Sequence, residues 1–92
     1  MHNQIAKRVL QRVPRQQITI QKGAEIINVS LDDFQHITLY ALIDASAGLE
    51  DRVIEMVETN TELPPLQEDQ IRIYIDTIHA YYPSHVFEII KK

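Results

Sequence analysis

Four prolines, Pro14, Pro64, Pro65 and Pro83, cut the chain into stretches that no continuous helix or central strand crosses, because proline has no amide hydrogen to donate and a fixed φ. The remaining pieces must therefore pack against one another. Ninety-two residues with 45% hydrophobic content make one domain, 1–92, too small for two cores. There is no cysteine, which excludes disulfide scaffolds, thiolate zinc sites, iron–sulfur clusters and cysteine nucleophiles. Packing alone holds such a chain, and at this size roughly 60–65% of the unfolded surface is buried, which leaves little spare stability and makes an oligomer an expectation.

Between the prolines, apolar periodicity points to a mainly α fold of three to four helices with a small β-hairpin near residues 17–29, and to α+β as the alternative. Ile5, Val9, Leu10 and Val13 have helical spacing that Pro14 ends. Residues 17–20 and 27–29 alternate like strands around Gly23. Ser30, Asp32 and Asp33 resemble a helix start. Leu31, Phe34, Thr38, Leu42 and Ala45 then form a stripe closed by Gly48, and Leu49, Val53, Met56 and Val57 form a second one. The segment 61–66, with its double proline, reads as a linker. Residues 67–82 fit both periods, and their length favours helix; 84–92 reads equally as helix or strand. The expected core is Leu31, Phe34, Ile37, Leu42, Val53, Met56, Val57, Ile71, Ile75 and Ile78.

Charge is divided along the chain. Residues 1–24 hold Lys7, Arg8, Arg12, Arg15 and Lys22 and no acid, whereas residues 25–92, the expected acidic helical body, hold all 13 acids against Arg52, Arg72, Lys91 and Lys92. The five basic residues are candidates for an anionic partner, and a clasp on the chain's own acidic body is an equal reading. Nucleic acid is the less favoured partner, since a body with such an excess of acid repels phosphate.

No catalytic, cofactor or metal set is legible. His2, His36, His79 and His85 never fall at the i, i+4 spacing of a helical metal pair. Asp32–Asp33, Glu50–Asp51 and Glu68–Asp69 stand at expected helix starts, where carboxylates meet the dipole. Ser30, Ser46 and Ser84 lack a nucleophile elbow, and two glycines cannot build a phosphate loop. Tyr74, Tyr81 and Phe87 are candidates for an aromatic interface.

The stretch Ile27-Asn28-Val29-Ser30-Leu31-Asp32-Asp33-Phe34, followed by residues to Ala47, Gly48 and then Leu49 to Val57, resembles the ribbon-helix-helix repressors over about a third of the chain. The resemblance implies a two-chain ribbon with Asn28 and Ser30 facing bases. It departs from the family where Glu50 and Asp51 replace the serine-containing start of the second helix. The leading expectation is a non-enzymatic interaction or accessory protein, a small bacterial regulator that needs no cofactor. It binds a protein or itself in the cytoplasm and no membrane, since the N-terminus lacks the apolar core of a secretory signal. A ribbon-helix-helix-like or basic-arm DNA-binding regulator is the alternative.

Overall fold

The computed structural model describes every residue except Tyr81, and the described residues contain no helix. Seven strands follow one another: β1 (Gln4–Leu10), β2 (Arg15–Gln21), β3 (Glu25–Leu31), β4 (Ile37–Ile43), β5 (Leu49–Glu58), β6 (Gln70–His79) and β7 (Pro83–Lys91). They make two antiparallel sheets, A in the order β1-β4-β3 and B in the order β2-β5-β7-β6. The sheets pack over one core of Leu10, Val29, Leu39, Ala41 and Ile43 from A against Ile18, Ile20, Ile54, Ile78 and Val86 from B. The radius of gyration, 13.4 Å, is that of a chain packed about a single core.

The mainly helical expectation is overturned, the α+β alternative with it, and the acidic body is not helical. The reasons are local. Ile37 to Ile43 is a nearly unbroken apolar run containing two isoleucines and a threonine, and it forms the middle strand of sheet A. Its inward residues Ile37, Leu39, Ala41 and Ile43 are core, and its outward residues Thr38, Tyr40 and Leu42 are flanked by β1 and β3, so the run has no polar alternation to display and also satisfies a helical stripe. Asp32 does not cap a helix. Its carboxylate accepts from the amides of Phe34 and His36, both at 2.8 Å, and so shapes the β3–β4 turn; aspartate favours such turns for the reason that it favours caps. Residues 17–29 do contain two strands, with Gly23 at φ +76° between them, but they are not a hairpin. β2 pairs with β5 and β3 with β4, so this turn carries the chain from one sheet to the other.

The other expected helices fail similarly. In 2–13, Ala6, Arg8 and Leu10 point inward and Ile5, Lys7 and Val9 outward, a period of two. Gly48 leads into a strand, where Glu50 accepts from the Gly23 amide and Asp51 from the Thr19 hydroxyl. The helix expected over 67–82 is replaced by β6, and 84–92, which reads equally as helix or strand, belongs to β7, its antiparallel partner. Of the expected core, Ile37, Val57 and Ile78 are buried, and Leu31, Leu42, Val53, Met56 and Ile75 are half-buried. Ile71 is exposed, and Phe34, at 81% exposure, lies on the tip of the β3–β4 turn.

The double proline has a precise task in this topology. β5 and β6 are each antiparallel to β7, which lies between them, so they run in the same direction. β5 ends beside Ser84 and β6 begins beside Lys91, at opposite ends of β7. The eleven residues 59–69 must bridge about 24 Å along the strand, at about 3.4 Å per residue. A helix of that length, at about 1.5 Å per residue, would reach only about 17 Å, whereas extended chain suffices. Pro64 and Pro65 hold the backbone extended without needing a ladder. The linker read from the sequence is therefore a crossover, and it runs over the face of sheet B opposite the core.

Candidate interaction face

The crossover buries the centre of the outer face of sheet B, while Leu49 and Tyr74 toward its margins stay exposed. Glu55 lies on that face yet is fully buried, and Val57 and Ile89 on the same face are 7% and 6% exposed. Glu55 sits between two arginines. Arg72 Nε donates to its Oε1 at 2.6 Å, and Arg15 Nη2 to its Oε2 at 3.1 Å. Arg72 Nη2 also donates to the Pro64 carbonyl at 2.6 Å, tying the crossover to the sheet, while its guanidinium lies 5.7 Å from the centre of the Phe87 ring. Burial pushes the Glu55 carboxyl up, but the hydrogen bonds and charges of Arg72 and Arg15 outweigh it and hold the group below the usual range.

A second pair stands on the inner side of sheet B. Arg52 clasps Glu88 with two guanidinium nitrogens and donates a further bond to the Ala24 carbonyl at 2.6 Å. The bonds to Glu88 raise the Arg52 pKa further. A polar chain on the outer side runs from the Tyr74 hydroxyl to Thr77, from Thr77 to His85 Nδ1, and from His85 Nε2 to Thr59 at the start of the crossover, at 2.6, 3.0 and 2.8 Å.

The open edges of the sandwich are guarded by charged side chains. On one side, Arg8 Nε donates to the Thr19 carbonyl of β2 at 3.1 Å and Nη1 to the Lys7 carbonyl of β1 at 2.8 Å, so one guanidinium covers carbonyls of both edge strands. On the other, the Val29 amide of β3 donates to Asp76 of β6 at 3.1 Å. Edge strands left bare invite further strands, and an inserted charge opposes that. The faces, more than the edges, are left to meet other molecules.

The outer face of sheet A has no cover of its own. The register places Ile5, Leu42 and Glu25 in one row, Lys7, Tyr40 and Asn28 in the next, and Val9, Thr38 and Ser30 in a third. Leu42 and Tyr40 are half-buried by their neighbours, whereas Ile5 and Val9 remain 62% and 59% exposed. At the bulge between Ile26 and Asn28, Ile27 adds another exposed aliphatic residue. This face carries Lys7, and Glu25 with the His2 ring 3.8 Å from its carboxylate, around apolar residues, the composition of an interface more than of ordinary solvated surface.

The residues singled out from the sequence are dispersed. Lys7 lies on the outer face of sheet A, Arg8 at the edge, Arg15 against Glu55, and Lys22 on the turn between β2 and β3. Arg12 lines a cavity of about 270 Å³ at the β1–β2 corner, with Val13, Pro14, Met56 and Val57. Asn28 and Ser30 lie on the outer face of sheet A, but β4 follows them where the ribbon-helix-helix pattern requires a helix, so that resemblance does not extend to the fold. Tyr74 and Phe87 are cross-strand neighbours on sheet B, their rings 5.8 Å apart and edge-to-face. Tyr81 lies outside the described residues. Among the described residues no three His, Asp or Glu side chains gather to hold a metal, and no helix is long and apolar enough to cross a membrane.

Sequence reasoning missed Ile5 and Val9 as surface residues and Glu55, Arg72, Arg52 and Glu88 as buried pairs. A signal existed in Ile54-Glu55-Met56, Ile71-Arg72-Ile73 and Phe87-Glu88-Ile89, where single charges interrupt apolar runs. Read as strands, these runs call for buried partners of opposite sign.

Residues 1–92 match the family model described as a domain of unknown function (DUF7352), and the chain belongs to that family. No curated protein and no solved structure matches it.

Proposed function

We propose that this DUF7352 protein is a non-enzymatic interaction module of the cytoplasm that docks protein through the outer face of sheet A. The observation that carries this reading is the exposure of Ile5 and Val9, on an ordered strand beside Tyr40 and Leu42, in a molecule that covers the equivalent face of its other sheet. Leaving an apolar sheet face in water forgoes about 25 cal/mol for each Å² a partner would cover, and monomeric proteins seldom expose such patches. The ionisable groups in the interior support the same reading. Glu55 and Glu88 are each neutralised by arginine, an arrangement that holds elements together and leaves no carboxylate poised for proton transfer.

The test is a photo-crosslinking amino acid placed at position 5, 9 or 17 of the protein in cells that produce it. Positions 5 and 9 are expected to give discrete polypeptide adducts that excess unlabelled protein competes away; Gln17, exposed on β2, is expected to give none. No adduct at 5 or 9, or the same adducts at all three, overturns the reading, as does turnover or a bound cofactor in the purified protein.

A further inference from the structure

Resting on that reading, we infer that the partner on the outer face of sheet A is a second copy of this chain, related by a two-fold axis running along β4. The rows of the face select this axis. A two-fold along β4 lays β1 of one copy over β3 of the other, so that Lys7 meets the partner's Asn28, with the partner's Glu25 one row away, and the reciprocal contacts form at the same time. Rows on one face are about 7 Å apart, within the reach of a lysine side chain. A two-fold running across the strands would instead lay β1 over β1 and stack Lys7 on its own copy, which like-charge repulsion opposes. Glu25, 67% exposed beside His2, stays within reach of the partner's Lys7 in this arrangement, whereas the axis across the strands keeps the two on different strands.

Size agrees with a second copy. Three strands about 4.8 Å apart and seven residues long give a footprint of roughly 14 by 24 Å. With side-chain relief on both copies the pair buries on the order of 1,000 Å² in total, the lower end for specific association. The aligned packing of two sheets about 10 Å apart is the same packing that builds each sandwich, so the dimer continues the protein's own architecture. Its affinity belongs to the weak class, on the order of micromolar.

The experiment is sedimentation equilibrium of the full chain over about a hundredfold concentration range around that value. A reversible monomer–dimer equilibrium is expected for the wild-type protein. Val9→Lys, at an exposed position, is expected to leave the thermal midpoint of dilute protein unchanged and to abolish the dimer. Lys7→Glu and Glu25→Lys should each weaken it about fivefold or more, and the double exchange should restore it. A monomer at every concentration overturns the inference, and so does a dimer indifferent to Val9→Lys or not rescued by the double exchange. If the dimer is absent while positions 5 and 9 still crosslink to a different polypeptide, the docking reading stands and the second copy is wrong. If neither dimer nor adduct forms, both fail.

Discussion

The outer faces of the two sheets are built from similar alternating strands and meet opposite fates. On sheet B a crossover lies over the strands, and beneath it the Glu55 carboxylate is as buried as a core residue, with Arg72 and Phe87 half-buried beside it. On sheet A the face is left open, and Ile5 and Val9 stay exposed. Topology makes this difference. In both sheets two strands running the same way flank an antiparallel one, β5 and β6 beside β7, and β1 and β3 beside β4. β5 and β6 are joined directly, so their connection returns along the sheet as a lid, whereas the chain returns from β1 to β3 as β2 of the other sheet.

The largest break in this contrast should come from Glu55→Gln. It leaves Arg15 and Arg72 facing a neutral amide beneath the crossover, and a loss of about 3–5 kcal/mol in urea-determined stability is expected, as for other broken buried ion pairs. Glu25→Gln, on the open face, should be near neutral. The same group sets a pH dependence. Because the Glu55 pKa is lowered in the folded state, its stabilisation is fully present above the unfolded value near 4.3 and is lost as pH falls through the folded value. The urea midpoint of the wild-type protein should fall on acidification, and Glu55→Gln should make that fall shallower.

Next in size, Ile89→Ala under the crossover should cost about 2–4 kcal/mol and Ile5→Ala on the bare face less than about 1 kcal/mol in the monomer, measured by denaturant unfolding of dilute protein. Equal costs would mean that the two faces are equally covered. Arg72→Lys keeps a charge but loses the fork that holds both Glu55 and the Pro64 carbonyl. About 1–2 kcal/mol and faster hydrogen exchange in the 59–69 amides are expected. The smallest effect belongs to Arg8→Ala, about 1 kcal/mol, read more clearly as increased aggregation once the edge carbonyls of β1 and β2 lose their cover.

Particular residues show how much of this was legible in the sequence. The strands at 17–20 and 27–29 are visible as alternation, and Gly23 as the turn between them. Their partners are not visible, because pairing depends on which distant segment presents a complementary register. In the stretch 31–45 a helical stripe and the middle strand of a sheet use the same residues, and the aspartates that suggest a helix start serve a β-turn equally well. For 67–82, Ile71, Ile73 and Ile75 display the strand period, and length was the wrong arbiter because β6 is ten residues long. The candidate face was divided in the same way. Lys7 stands out by its charge, while Ile5 and Val9, beside it on the strand, also fit a helix's buried stripe.

The sequence by itself determined the chain's freedom from thiol chemistry, the breaks at its prolines, and the presence of an extended stretch at 61–66. Those follow from composition and from proline's missing donor and fixed φ, which act within a few residues. Only the tertiary structure decided that the elements are strands, that the five basic residues scatter to five different places, and that one face is largely covered and the other bare. Those outcomes rest on hydrogen bonds between segments far apart in the chain. Arg15 with Glu55 and Arg52 with Glu88 become neighbours only after the sheets have chosen their order.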